Sequence, residues 1–145
     1  MDIAGKSAKR AAVLRYFEQS DAGQFPSELF TPDFQFFVAK FGIGRGLEAF
    51  VEMASSAGVR EVKHDLAGLL LIEAGDHVVA EGITQGVTTD GVAWRGGDTP
   101  AGRFASVFSF NPGGLIERMH IYLDPDFAGH HEAGFRWNRG ARQEW

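Results

Sequence analysis

Five histidines, two tyrosines and no cysteine set the chemistry open to this chain. Without thiols there is no disulfide framework, thiolate metal site or cysteine nucleophile. Histidine is the side chain whose charge changes near neutral pH, so the histidines are the first candidates for a base. His64, in "EVKHDLAG", shares one side of an extended chain with Leu66, Gly68, Leu70 and Ile72. That apolar side favours burial, and a buried imidazole needs a polar partner. An exposed His at a strand end is the competing reading. His77 follows the turn "AGD" and reads as solvated. His120 alternates with Met119, Ile121 and Leu123, so it faces away from their apolar side. His130 and His131 are adjacent, unlike the His-Glu-x-x-His pair that holds zinc on a helix. No metal and no cofactor are expected.

Tyr16 is the other group with chemistry to offer. Ala12, Val13, Tyr16, Phe17 and Ser20 share one helical face in "KSAKRAAVLRYFEQS". Tyr16 is therefore expected inside, with its hydroxyl reachable from a cavity; a ring that merely anchors the helix is the alternative. "GIGRG" opens a helix but lacks the Gly-Lys-Ser/Thr ending of a phosphate loop. No Gly-x-Ser-x-Gly is present, so a hydrolase nucleophile elbow has no support. "VAWRGGDTPAGRF" places Trp94 and Arg103 in a Gly-rich passage. They either rim a pocket and hold a polar group of a ligand, or belong to a solvated hairpin loop.

These residues need elements to position them. The chain has 145 residues, enough for one domain with its own core. A net charge of −5 with no basic cluster argues against nucleic acid. No run reaches the length of a membrane span, and the N-terminus shows no signal peptide, so a cytoplasmic protein is expected. The periodicity predicts a helix over 6–20, a short helix from Pro26 to Phe30, a strand at "DFQFFVAKF", a turn at "GIGRG", and a helix with the stripe Leu47, Phe50, Val51 and Ala54. After Gly58 the pattern becomes extended: "EVKHDLAGLLLIE", "HVVAEGITQGVTT", "VAWRG", "RFASVFSF" and "LIERMHIYL" read as strands between turns such as "TDG" and "NPGG". Helices first and antiparallel strands later predict one α+β domain over residues 1–145, with 128–145 as a tail carrying Phe135 and Trp137.

Three phrases carry a resemblance: "RYFEQSDAGQFPSELFTPDF", "GIGRGLEAFVEM" and "FSFNPGGLIERMHIYLD". They resemble the opening helices, the helix entry and the last hairpin of the NTF2-like superfamily, in particular SnoaL-like polyketide cyclases, ketosteroid isomerases and scytalone dehydratase. The likeness runs from Ala8 to Phe127. It implies a cone-shaped fold in which N-terminal helices and a curved, mostly antiparallel sheet enclose a pocket. It implies an outer sheet face that makes a homodimer. Phe34, Phe36 and Val38 then face inward, with Trp94, Arg103, Ser106, Phe108 and Met119 as further substrate contacts.

The resemblance also distributes roles. Tyr16 matches the helix tyrosine of ketosteroid isomerases. Their first-strand base is Val38 here, and their late-strand acid is Ser106, so that reaction with those groups is not expected. In scytalone dehydratase an Asp after the first helix and a His early in the meander form a dyad; Asp21 and His64 match those positions. A carboxylate beside an imidazole fixes its tautomer and raises its basicity. The dehydratase's first-strand Tyr is Val38 here, and its second His has no clear counterpart. The expectation is a cofactor-independent dehydratase, isomerase or cyclase acting on a small apolar oxygenated molecule. The alternative is a non-catalytic ligand-binding or dimeric structural module with a filled cone.

Overall fold

A computed structural model describes residues 7–96 and 100–131 of the chain. Helix α1 (Ala8–Asp21) starts at Ser7, whose hydroxyl accepts from Arg10 N at 3.0 Å. Its buried residues are Val13, Tyr16 and Phe17, the face read from the sequence. A 3₁₀ turn, Ser27–Leu29, leads into β1 (Phe30–Val38). β1 thus begins and ends three residues earlier than "DFQFFVAKF" indicated.

Two expectations fail next. "GIGRG" is not a turn: Gly42–Arg45 is strand β2, paired antiparallel with β1 from Gln35↔Arg45 to Val38↔Gly42. Its glycines hide the strand because they serve packing; a Cβ on Gly44 would lie 2.3 Å from the Phe36 ring. Helix α2 (Gly46–Ser56) also turns a different side inward. Ala49, Phe50 and Met53 pack on the core, while Leu47 and Val51 are 39% and 52% exposed.

The long apolar run is two strands rather than one: β3 (Val59–His64) and β4 (Leu70–Ala74). Between them Asp65 Oδ1 accepts from Gly68 N at 3.2 Å, closing a turn. His64 therefore ends a strand, and the shared side with Leu66, Gly68, Leu70 and Ile72 does not exist. The remaining strands are β5 (His77–Thr88), β6 (Ala93–Trp94), β7 (Arg103–Phe110) and β8 (Ile116–Leu123). The 12-residue β5 serves two neighbours in turn: its first half pairs with β4 and its second with β3.

The eight strands form one mixed sheet, ordered β2-β1-β8-β7-β5-β3, with β4 and β6 also on β5. β1 and β8 run parallel; every other pairing is antiparallel. Both helices contact strands of this sheet, α1 at β3, β4 and β5, and α2 at β1, β2 and β3. This is the α+β architecture expected. Alternation then fixes what each face carries. Phe34, Phe36, Phe104, Phe108 and Met119 are buried with Val13 and Phe17.

The opposite face is read off the register. Ile43, Phe37, His120, Val107, Val79 and Ile72 stand side by side across β2, β1, β8, β7, β5 and β4. His120 is buried within that row, 2.8 Å from Gln35 Oε1 and with Phe37 packed on its ring. Burial and the neighbouring Arg118 guanidinium both lower its pKa, which favours the neutral imidazole.

Candidate active site

A cavity of about 440 Å³ opens between α1, α2 and the sheet. Most of its wall is apolar: Phe17, Val38, Met53, Phe104, Ile121, Leu123 and Phe127 line it. Polar groups gather in a few places. Tyr16, Ser20 and Asp21 come from the last turns of α1, Arg60, Glu61, Lys63 and His64 from β3, Thr84 from β5 and Ser106 from β7.

Asp21 and His64 meet as the sequence resemblance implied. Asp21 Oδ1 lies 2.6 Å from His64 Nδ1, and Asp21 Oδ2 accepts from the His64 backbone N at 2.9 Å. Both oxygens of the carboxylate are thus committed to one residue. The contacts are partly shielded, with the side chains 16% and 12% exposed. A carboxylate on Nδ1 holds the proton there and leaves Nε2 as the acceptor nitrogen. Among the described residues Nε2 has no protein partner. Phe17 and Phe104 clamp the imidazole, their ring centroids 4.8 and 5.0 Å away. His64 reaches the interior because its strand stops there, opposite Thr84 on β5, and not because of apolar neighbours along the strand.

Tyr16 lies at the cavity with Phe17, Phe25, Phe30 and Phe108 edge-on around its ring. Burial pushes its hydroxyl up to about 12; a hydrogen bond with Ser20 works against this and the Asp21 charge adds to it. The folded state therefore keeps the phenol proton where the unfolded chain, near 10.0, has lost it. That contribution is fully present below pH 10 and is lost as pH rises toward 12. Unfolding in urea between those limits should show stability falling by about 2–3 kcal/mol more in the wild type than in Tyr16→Phe. Parallel curves for the two proteins would place the hydroxyl outside the buried site.

Of the eight expected substrate contacts, Val38 and Ser106 line the cavity. The other six do not. Phe34 and Phe36 face inward but lie behind Phe25 and Phe50, whose rings cover them. Phe108 and Met119 are fully buried, and Phe108 lies beneath Tyr16 and Phe17. Arg103 falls on the other parity of β7 from Phe104 and Ser106, which removes it from the cavity face. Burial lowers its pKa, with Glu81 opposing. Trp94 is buried one layer behind the wall, where its indole Nε1 donates to Thr84 Oγ1 at 3.2 Å. Thr84 itself was not singled out from the sequence. A Thr in a strand is unremarkable by propensity, and only the register opposite His64 reveals it.

A second cavity, of about 390 Å³, lies by the segment after β8. His130 and His131 are there, but their backbone N–H groups donate to the Asp126 carboxylate at 2.8 Å each, which lowers that pKa against the effect of burial. Among the described residues no cluster of three or more His, Asp or Glu side chains is arranged to hold a metal. No helix among them is long and apolar enough to cross a membrane. Phe135 and Trp137 of the tail lie outside the described residues.

The arrangement of helices and sheet recurs in solved structures. An NTF2-like protein of unknown function from Burkholderia pseudomallei superposes with a TM-score of 0.68 at 16% identity, covering 83% of this chain and 93% of that one. TerC, co-crystallised with polyporic acid, gives 0.67 at 17% identity over 81% of this chain and 92% of its own. SalBIII, an epoxide hydrolase/cyclase-like enzyme in pyran ring formation in the polyether salinomycin, gives 0.61 at 17% over 84% and 95%. Structures assigned as polyketide cyclases, one of them SnoaL-like, are among the matches too. No family model matches the sequence, and no curated protein does. At these identities the comparison defines the fold: this chain has the NTF2-like fold, with a titratable pair inside its cone.

Proposed function

We propose that the protein is a cofactor-independent acid–base enzyme of dehydratase, isomerase or cyclase type, acting on a small apolar oxygenated molecule in the 440 Å³ cavity. One observation carries this reading: a carboxylate with both oxygens on His64 leaves Nε2 poised to accept a proton. A mostly apolar wall with polar groups gathered on α1, β3, β5 and β7 fits a substrate of that kind. A purely structural module would be expected to fill the cone, and here the cone is open. Cyclase-like enzymes among the structural matches support the same class of chemistry.

Incubation with cyclic ketones such as 1-tetralone in deuterated water tests it. Protein-dependent exchange of the protons next to the carbonyl, followed by NMR, is the expected result. A panel of ketones and hydroxylated aromatics that bind without exchange, dehydration or isomerisation would overturn it.

The working form we propose is a cytoplasmic homodimer paired through the outer sheet face. The row from Ile43 to Ile72 leaves its two ends 66% and 51% exposed, and no described helix covers it. Apolar surface of this kind is buried by a twofold copy. Sedimentation at micromolar concentration should give the dimer mass; a clean monomer ends the idea.

A further inference from the structure

The geometry points to Thr84 as the hydrogen-bond donor that holds a substrate oxygen beside His64, with Trp94 as the residue that aims it. Thr84 is buried and lines the cavity. It stands directly opposite His64 in the β3–β5 register. Cross-strand partners on one face have Cβ atoms about 5 Å apart, so one small molecule can meet both side chains. The inference deepens the acid–base reading and rests on its cavity.

The hydroxyl has a defined role because one side of it is taken. A threonine hydroxyl offers one hydrogen and two lone pairs. Trp94 Nε1–H can only donate, and it donates to Thr84 Oγ1 at 3.2 Å in a buried contact. That bond occupies a lone pair and steers the O–H away from the indole. Among the described residues no acceptor for that hydrogen is present. Thr84 is thus left as a donor at the cavity surface.

The indole is itself held. Trp94 pairs with Gly86, and a Cβ on Gly86 would lie 2.4 Å from the Trp94 ring, so glycine lets the indole lie flat across β5 toward Thr84. Phe127 packs on the other side, its centroid 4.8 Å from that of Trp94, and it also lines the cavity.

The chemistry balances without a further reactant. When His64 Nε2 takes a proton from the carbon next to a carbonyl, the C–H electron pair forms the enolate C=C bond and the carbonyl pair moves onto oxygen. The Thr84 O–H then faces a growing negative charge and its hydrogen bond strengthens. Return of the proton to carbon or oxygen restores the imidazole.

Binding tests the assignment apart from turnover. The probes are 1-tetralone, ¹³C-labelled at its carbonyl, and tetralin, the same skeleton without oxygen. Thr84→Val should weaken 1-tetralone about 3- to 10-fold, the worth of one neutral hydrogen bond, and leave tetralin unchanged. The bound carbonyl stretch, lowered in the wild type, should return toward its value in apolar solvent. Thr84→Ser keeps the hydroxyl and should keep the lowered stretch. Trp94→Phe should give an intermediate frequency, because the hydroxyl stays but loses its aim. An unchanged stretch in Thr84→Val, or equal losses for both probes, overturns the donor role. An unchanged stretch in Trp94→Phe overturns the aiming role. If neither probe binds the wild type, the ligand cavity itself is refuted and this assignment with it. If 1-tetralone binds through Thr84 but no ketone exchanges, the donor stands and the acid–base reading falls.

Discussion

His64→Ala is expected to lower the proton-exchange rate roughly 10²-fold or more, the scale of a lost general base. The argument is geometric. Nδ1 faces Asp21 at 2.6 Å, so its proton is fixed there, and the pair of electrons on Nε2 is what remains to act. A carboxylate in this place stabilises the imidazolium that forms when Nε2 takes a proton. Asp21→Asn keeps the shape and removes that charge, and its amide can present a donor to Nδ1, which favours the wrong tautomer. It should therefore cost a comparable factor. The double variant should be no more than about 3-fold slower than the worse single one, because the two residues act as a unit. Asp21 also accepts from the His64 backbone at 2.9 Å, so its loss shifts the strand end as well as the ring. Binding of 1-tetralone serves as the control: it should survive His64→Ala. Exchange that continues at the wild-type rate in His64→Ala would remove the residue from the chemistry.

The sequence made the endpoints of this pair visible but for a partly mistaken reason. Read as one strand, the apolar residues after His64 put it inside. The strand ends before Asp65, and Leu70 and Ile72 of the next strand are half exposed. The signal for the break was present as Asp-x-x-Gly, where an Asp side chain caps its own turn. It was hidden by the run Leu-Leu-Leu-Ile, which reads as core whichever face it meets. α1 was legible because its apolar residues are spaced for one face and a Gly follows its end. α2 was not, since Leu47, Phe50, Val51 and Met53 define two overlapping stripes and only the position of the sheet chooses between them. Thr84 and Trp94 needed three dimensions: they are ten residues apart, and their meeting depends on β6 folding back on β5 across Gly86.

A core aromatic of β7 set against Val51 of α2 gives the sharpest stability contrast. Phe108→Ala is expected to cost about 3–5 kcal/mol, as emptying a filled aromatic site does. Phe108 is fully buried, pairs with Met119 and Val78 across β8 and β5, and carries Tyr16 and Phe17 edge-on at 5.7 and 5.9 Å. Small domains are stable by only about 5–15 kcal/mol, so this variant should be marginal, with its urea midpoint lowered and its slope unchanged. Val51, which the sequence pattern assigned to the same core, is half exposed on α2. Val51→Ala should change stability by no more than about 0.5 kcal/mol, since little burial is lost and Ala is the better helix former. Similar losses for the two would mean that α2 turns its Leu47–Val51 side to the sheet. The cavity would then lose Met53 from its wall, and the pocket beside His64 would have a different shape.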